Sequence, residues 1–261
     1  DREVADFLEA DYILCNLECS PAGDGLRSPS SSGTDIKPRG LRASSGKNLM
    51  HQSYDAFTLR TYDFSEANKI VSFLTSDHGI LRGVAYGAGK SKNRFGGALE
   101  PLTRVRILVK RKENQDLGTI DNCELIRSLP MDQLDFEESL YVSYFVELIT
   151  EFTREEDDSS KLFRLTSAIL EVYHQVPVRQ LARYFELWIL KLEGFLPGLQ
   201  AIVDKELAVK SLQILKEPPG NLKGRGWNSR ELAQLENTTQ KLIEYNLEKP
   251  LKTVRMLKEL L

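Results

Sequence analysis

The fold is decided by residues 80–112, which read ILRGVAYGAGKSKNRFGGALEPLTRVRILVKRK. The apolar residues of 80–85 and the β-branched run of 105–110 each predict a short strand. The segment between them is rich in glycine over 87–97, which is typical of a loop rather than of a helix. The sequence therefore predicts a strand, a basic loop and a second strand in this order.

Three more short strands are predicted around this stretch. In the first, Ala56, Thr58 and Arg60 alternate with Phe57, Leu59 and Thr61. Residues 70–74 form an apolar run that ends at the turn signal of 76–79, and residues 117–126 have the composition of a strand. Five short strands within about 75 residues, joined by turns, indicate a small β-barrel. A five-stranded OB-type barrel is the natural candidate at this size.

After Pro130 the period of the apolar residues changes from two to near 3.6. Stripes of this period predict helices at 140–152, 161–173, 181–192, 229–245 and 253–261. Asn228 with Glu231 three residues later is a capping signal for the fourth helix. The predicted fold class is α+β, with an N-terminal five-stranded OB-fold β-barrel over 50–128 followed by an all-helical C-terminal domain over 130–261.

Residues 1–49 differ in composition from the rest of the chain. The stretch 27–45 is dense in Ser, Gly, Pro and Arg and has neither helical nor strand period. We expect 1–49 to be a disordered tail or upstream read-through, with Met50 as the natural start. Cys15 and Cys19 lack partner ligands nearby, so no metal or redox role is predicted for them.

The composition is that of a globular protein, with 41% apolar and 28% charged residues in 261. No run approaches the roughly 18–20 apolar residues that span a membrane, so no membrane partner is predicted. The three cysteines, Cys15, Cys19 and Cys123, are too few for a disulfide framework. This cysteine usage favours a reducing, cytoplasmic setting.

Positive charge is concentrated in residues 82–112, which carry nine bases and one acid. The segment is thus +8, whereas the whole chain is −3 and the remainder is −11. This asymmetry predicts a polyanionic partner, for which a nucleic-acid backbone is the commonest choice. The predicted nucleic-acid-binding residues are Arg82, Lys90, Lys92, Arg94, Arg104, Arg106, Lys110, Arg111 and Lys112.

The alternative to nucleic-acid binding is that these bases form a barrel face that contacts only solvent. Three observations favour nucleic acid. The segment contains too few acids to neutralise itself, and Arg104, Arg106 and Lys110 alternate onto one face of the predicted strand. Tyr86 and Phe95 flank the loop and are suited to stacking on bases, although Phe95 fits the barrel core equally well.

No catalytic or cofactor motif is present. Residues 87–91 read GAGKS, but Val84 stands where a phosphate-binding loop requires its first glycine. The loop is therefore expected to touch a nucleic-acid backbone, or else to be a solvated hairpin loop. The histidines are scattered, and no nucleophile–base pair or metal-ligand spacing is found. We predict a protein that is not an enzyme and needs no cofactor or metal, with an unrecognised nuclease or phosphotransferase as the remaining alternative.

A basic edge is predicted on the third helix, where Arg179, Arg183 and Tyr184 lie about one turn apart. It borders an apolar stripe that includes Trp188. Either these are core residues with arginines that reach solvent, or they line a groove for an acidic, hydrophobic peptide tail.

Four segments of this chain resemble the RecO family of bacterial DNA repair proteins. They are LRTYDFSEANKIV at 59–71, GVAYGAGKSK at 83–92, RYFEL at 183–187 and PLKTVR at 250–255. The resemblance covers about residues 54–261, and the order and spacing of the segments make it specific. Many members carry a cysteine cluster after the position of Pro197, but 199–226 contains no cysteine, so no zinc site is expected.

The resemblance implies an OB-fold barrel, a helical domain and a non-enzymatic role in recombinational DNA repair. Such proteins bind single- and double-stranded DNA, anneal complementary strands, bind the C-terminal tail of the single-strand binding protein SSB, cooperate with RecR and help to load the recombinase RecA. A cytoplasmic, nucleoid-associated location follows. The alternative is an adaptor whose helical domain docks an acidic protein tail, with DNA contact secondary.

Overall fold

The structure is a computed structural model that describes residues 49–90, 94–112, 117–155, 158–196 and 203–260. Five strands form its N-terminal half: β1 (Leu49–Ser65), β2 (Asn68–Thr75), β3 (Ile80–Ala85), β4 (Arg104–Lys112) and β5 (Gly118–Arg127). They close into a barrel in the order β1-β2-β3-β5-β4. This confirms the predicted five-stranded OB-type barrel. The predicted tail, apart from Leu49, lies outside the described residues, as does Lys92.

The long strand β1 pairs with two neighbours in the barrel. Its first half pairs antiparallel with β4, from Leu49 opposite Lys112 to Phe57 opposite Arg104. Its second half pairs with β2, and the register shifts between Thr58 and Arg60. Such a bulge bends a strand, which lets β1 curve around the barrel.

The barrel is closed by a short parallel pairing between β3 and β5, in which Gly83 lies opposite Gly118. Both positions require glycine. A Cβ on Gly83 would lie 2.3 Å from Cδ1 of Ile120, and a Cβ on Gly118 would lie 2.6 Å from Cγ1 of Val109. The two strands approach this closely because neither carries a side chain here.

Seven α-helices follow in the described residues: α1 (Phe136–Phe152), α2 (Ser160–Glu171), α3 (Val178–Leu192), α4 (Lys205–Ile214), α5 (Leu222–Arg225), α6 (Ser229–Leu247) and α7 (Lys252–Leu260). The predicted all-helical second domain is confirmed. Asn228 and Glu231 form the expected capping box at α6, and Asp135 forms another at α1.

The short helices α4 and α5 were not predicted. The buried residues of α4 are Leu207, Ala208, Ser211 and Ile214, so its inward stripe contains only two large apolar side chains. That pattern is too weak to distinguish a ten-residue helix from a loop. Both helices lie between the elements that the sequence does predict.

The barrel interior forms one hydrophobic core, and one side of the barrel packs into a second core that it shares with the helices. The ring of Phe57 on β1 packs 4.7 Å from that of Phe163 on α2, measured between centroids. The Ser159 hydroxyl donates to the carbonyl of Thr75 at 2.6 Å and accepts from the amide of Gly79 at 3.0 Å. The amide of Ile80 donates to the carbonyl of Arg154 at 3.1 Å. The helical domain is therefore fixed against the β2–β3 turn by buried polar contacts as well as by apolar packing.

Candidate nucleic-acid interface

The cations of β4 meet acids from neighbouring strands. Arg104 donates from Nη2 to Oδ2 of Asp55 at 2.7 Å and from Nε to Oδ1 at 3.3 Å. Its guanidinium carbon also lies 5.5 Å from the ring centroid of Phe163, and Nη1 donates to the hydroxyl of Ser167. Arg104 therefore ties β1, β4 and α2 together, and its charge is used within the fold.

Lys110 has a similar partner in Asp121, at 2.8 Å from Nζ to Oδ1. The hydrogen bond from Lys110 lowers the pKa of the Asp121 carboxyl, which keeps that partner charged. Arg106 is exposed and lies opposite Asp55 and Glu124 in the strand register. The basic segment has few acids of its own, but β1 and β5 bring acids beside it that are distant in sequence.

The other predicted residues are dispersed around the barrel. Arg82 is exposed on β3, and Lys90 is exposed in the loop that follows it. Arg94 donates to the carbonyl of Ile120 at 3.2 Å. Arg111 lies at the far end of β4, and only the backbone of Lys112 is described. Among the described side chains, these bases therefore lie on several elements: β3, the loop that follows it, and β4.

The two aromatic residues that flank the loop have different environments. Phe95 is buried in the barrel core, so it fills the core and does not stack on bases. Tyr86 is 52% exposed at the end of β3. Tyr86 is therefore the one of the pair that remains available to a ligand.

A coherent surface forms on the outer side of β1, β2 and β3. Val71 and Phe73 of β2 point into the barrel, so Ile70 and Ser72 point out of it. Tyr62 on β1 lies opposite Ile70, and Arg60 lies opposite Ser72. Side chains of directly opposed residues share a face, so Tyr62 and Arg60 are on the outer side.

Exposed aromatic side chains are concentrated here. Tyr62 is 51% exposed, and Phe64 near the end of β1 is 55% exposed. Tyr86 follows β3 at the same edge, where the amide of Gly87 donates to the side chain of Asn68. We call Arg60, Tyr62, Phe64, Tyr86 and Lys90 the aromatic face. Only Tyr86 and Lys90 were singled out from the sequence, although Tyr62 and Phe64 continue the alternation of β1.

The loop after β3 is held against this face by close backbone packing. The amide of Gly89 donates to the carbonyl of Ala67 at 3.0 Å. A Cβ on Gly89 would lie 2.9 Å from the carbonyl oxygen of Glu66, so a side chain here would push the loop off the β1–β2 turn. This contact holds the loop that carries Lys90 against the β1–β2 turn. The face thus combines planar side chains with cations, which is the combination that binds bases and phosphates.

The predicted peptide groove on α3 has to be corrected. Arg183 is 1% exposed and forms an ion pair with Glu186 at 2.5 Å. Glu186 also accepts from the hydroxyls of Tyr144 and Thr239. Tyr184 is buried as well, and its hydroxyl donates to the carbonyl of Glu217 at 2.8 Å. These side chains lie inside the helical domain, where no partner reaches them.

Arg179 is the surface residue of that set, and it pairs with Glu137 at 2.5 Å. At the buried pair, desolvation raises the pKa of Glu186, opposed by the charge of Arg183. Glu186 accepts hydrogen bonds from Tyr144 on α1 and Thr239 on α6, so the pair joins three helices. Of the two interpretations of this helix, core residues or a peptide groove, the first therefore describes Arg183 and Tyr184.

The described residues contain no group of three or more His, Cys, Asp or Glu side chains placed to hold a metal ion. Burial raises the pKa of the Cys123 thiol to about 12, so this cysteine is not an activated nucleophile. None of the helices in the described ranges has the length and apolarity to cross a membrane.

Comparison with known proteins gives one consistent family. Residues 50–129 match the family described as Recombination protein O N terminal, and residues 133–206 match Recombination protein O C terminal. The DNA repair protein RecO of Koribacter versatilis (strain Ellin345) is 32% identical over 81% of this chain and 100% of that protein.

Two further relatives are matched over a shorter region. They are the RecO proteins of Syntrophus aciditrophicus (strain SB), at 33% identity, and Pelotomaculum thermopropionicum, at 34%. Each match covers 56% of this chain and 56% of the relative.

The buried position of Arg183 predicts a large asymmetry between two substitutions. Glu186→Gln leaves Arg183 buried with Glu236, 3.3 Å from its Nη1, as the remaining carboxylate partner, and is expected to lower the free energy of unfolding by about 3 kcal/mol. Arg179→Ala removes an exposed pair and is expected to change it by about 0–1 kcal/mol. Urea unfolding monitored by circular dichroism measures both. Equal, small effects would mean that Arg183 is open to solvent.

Proposed function

Since this chain belongs to the RecO family of DNA repair proteins, we propose that it is a non-enzymatic recombination mediator that anneals complementary DNA strands. In this role it also helps to load a recombinase onto single-stranded DNA coated by SSB, and it works with RecR in the cytoplasm, associated with the nucleoid. The observation that carries the proposal is the aromatic face, which combines three exposed rings with the cations Arg60 and Lys90.

The aromatic face binds a single strand through its bases. Tyr62, Phe64 and Tyr86 stack on successive bases, and each stacked base contributes about 1–3 kcal/mol. Stacking uses the flat face of a base and is tolerant of sequence. The hydrogen-bonding edges of the base stay available to a complementary strand, which is the condition that annealing requires.

The cations act on the phosphates. Two approaching strands repel each other, and basic side chains lower this repulsion while the strands find their register. Arg82, Lys90, Arg94, Arg106, Lys110 and Arg111 stay in the proposal as phosphate contacts, and Lys92 and Lys112 remain predictions from the sequence. Arg104 is left out because its guanidinium is bound to Asp55.

A cleft in the helical domain supports a second function, the docking of an acidic, hydrophobic protein tail such as that of SSB. The cleft has a volume of about 140 Å³ and lies where α1 and α3 end and α2 begins. Phe152, Leu162 and Ile189 form apolar walls, and Arg154 and Lys161 supply cations. Asp158 and Glu193 also line the cleft. An acidic tail with an apolar end fits this combination. If docking is the main role, the protein is an adaptor and DNA contact is secondary.

The stacking role of the aromatic face is tested by strand binding. The double variant Tyr62→Ala, Tyr86→Ala is expected to bind labelled poly-dT at least about tenfold more weakly, since it loses two stacking platforms. It is also expected to anneal complementary strands more slowly. Fluorescence anisotropy and a strand-annealing assay measure these effects. Tyr245→Ala, which removes an 81% exposed ring on α6, is the matched control and should bind as the unchanged protein does.

The phosphate contact is tested by salt. Log affinity for the single strand is expected to fall linearly with log salt, and Lys90→Ala should reduce the slope by about 0.7, the value for one neutralised phosphate. Arg255→Ala on α7 removes a charge elsewhere and should leave the slope unchanged. A flat salt dependence of the unchanged protein would sink the proposal.

The tail-docking cleft is tested with a synthetic peptide that has an acidic, hydrophobic C-terminus. Arg154→Glu is expected to weaken binding about tenfold or more, because a charge-assisted contact is replaced by repulsion. Arg179→Glu is the charge-matched control on the edge of α3. Loss of binding in the Arg179 variant alone would move the docking site away from the cleft.

A further inference from the structure

A second cavity, distinct from the aromatic face, opens at one end of the barrel. It has a volume of about 360 Å³ and lies between the start of β1, the start of β3, the end of β4 and the start of β5. This size falls within the range of small-molecule pockets, about 300–1,000 Å³. Its principal lining residues are Tyr54, His78, Leu81, Arg82, Val109 and Arg111.

One wall of the cavity is planar and apolar. Tyr54 is 8% exposed, and its ring meets that of His78 edge to face at a centroid distance of 5.2 Å. Leu81 and Val109 complete this wall from β3 and β4. A flat, partly apolar group such as a nucleobase finds matching surface here.

The cavity is also lined by two cations. Arg82 and Arg111 come from different strands and both line the cavity. Guanidinium groups bind phosphate through paired hydrogen bonds, which makes arginine the preferred residue for this ligand. Burial raises the pKa of Tyr54, opposed by the charge of Arg111, which agrees with a neutral phenol beside a cation.

The cavity and the aromatic face are joined by one row of residues. Arg60, Ser72 and Arg82 lie opposite one another across β1, β2 and β3. Arg60 belongs to the aromatic face and Arg82 lines the cavity. A strand stacked on the face can therefore continue past Arg82 and place its next nucleotide at the barrel end.

A carboxylate from the helical side already contacts this arginine. Oε1 of Glu155 lies 3.4 Å from Nη1 of Arg82, and both side chains are more than half exposed. The backbone of Glu155 is held near the β2–β3 turn by its bridge to Gly79. An exposed ion pair of this kind contributes little, so a phosphate can displace it.

We propose that this cavity binds a nucleoside monophosphate group, with the base against Tyr54 and His78 and the phosphate between Arg82 and Arg111. Glu155 competes with that phosphate for Arg82 and so weakens binding until it is displaced. If the bound nucleotide is part of a DNA strand, this assignment rests on the proposed function. A free mononucleotide has the same chemistry and is the other source.

The test uses the full chain, calorimetric titration with dTMP and anisotropy with a short 5′-phosphorylated oligonucleotide. Glu155→Gln is expected to tighten binding about two- to fivefold, which is a gain that misfolding does not mimic. Arg111→Gln is expected to weaken binding about tenfold or more. Lys258→Gln on α7 is the control and should change neither titration.

The outcomes separate the two sources. If both variants shift the dTMP titration, the ligand includes the free mononucleotide. If dTMP does not bind but both variants shift oligonucleotide affinity, the site holds a nucleotide within a strand. If neither variant shifts either titration while Tyr62→Ala, Tyr86→Ala still weakens strand binding, the cavity proposal is overturned and the proposed function stands. If the unchanged protein binds no oligonucleotide, the proposed function fails and the dTMP titration alone decides the cavity.

Discussion

The structure depends on the parallel contact between β3 and β5, where Gly83 faces Gly118. This contact closes the barrel, because every other strand pair is antiparallel and leaves β3 and β5 as the free edges. Gly118 itself lines the cavity at the barrel end. One close backbone approach thus closes the barrel and borders the cavity, beside the row in which Arg60, Ser72 and Arg82 lie opposite one another.

Charge density along the sequence is a poor guide to charge at the surface of a barrel. Residues 82–112 carry +8, yet Asp55, Asp121 and Glu155 approach three of these bases from other elements. A closed sheet gives each strand two neighbours, and the neighbours are often distant in sequence. Because β4 and β5 carry charges of both signs, the outer side of β1–β3 is the better candidate for the nucleic-acid site, since it has both exposed rings and cations.

Much of the fold could be predicted because its signals are local. The five strands and the principal helices follow from apolar periods of two and 3.6, and the capping box at Asn228 is a local motif. The site residues were harder to predict from the sequence. Helical spacing placed Arg183 beside the apolar stripe of α3, but only the packing of α1 and α6 shows that Glu186 and Thr239 enclose it. Arg104 looked free because Asp55 is 49 residues away in sequence. Tyr62 and Phe64 had a signal, the continued alternation of β1, but their exposure depends on the bulge near Thr58.

The central claim is that the aromatic face binds the bases of the single strand, while the cations of β4 contact only phosphates. Photo-crosslinking with an oligonucleotide that carries 5-iodouracil, followed by mass spectrometry of the crosslinked peptides, tests it most directly. The account predicts crosslinks at Tyr62, Phe64 and Tyr86. Crosslinks confined to β4, β5 or the helical domain would contradict it.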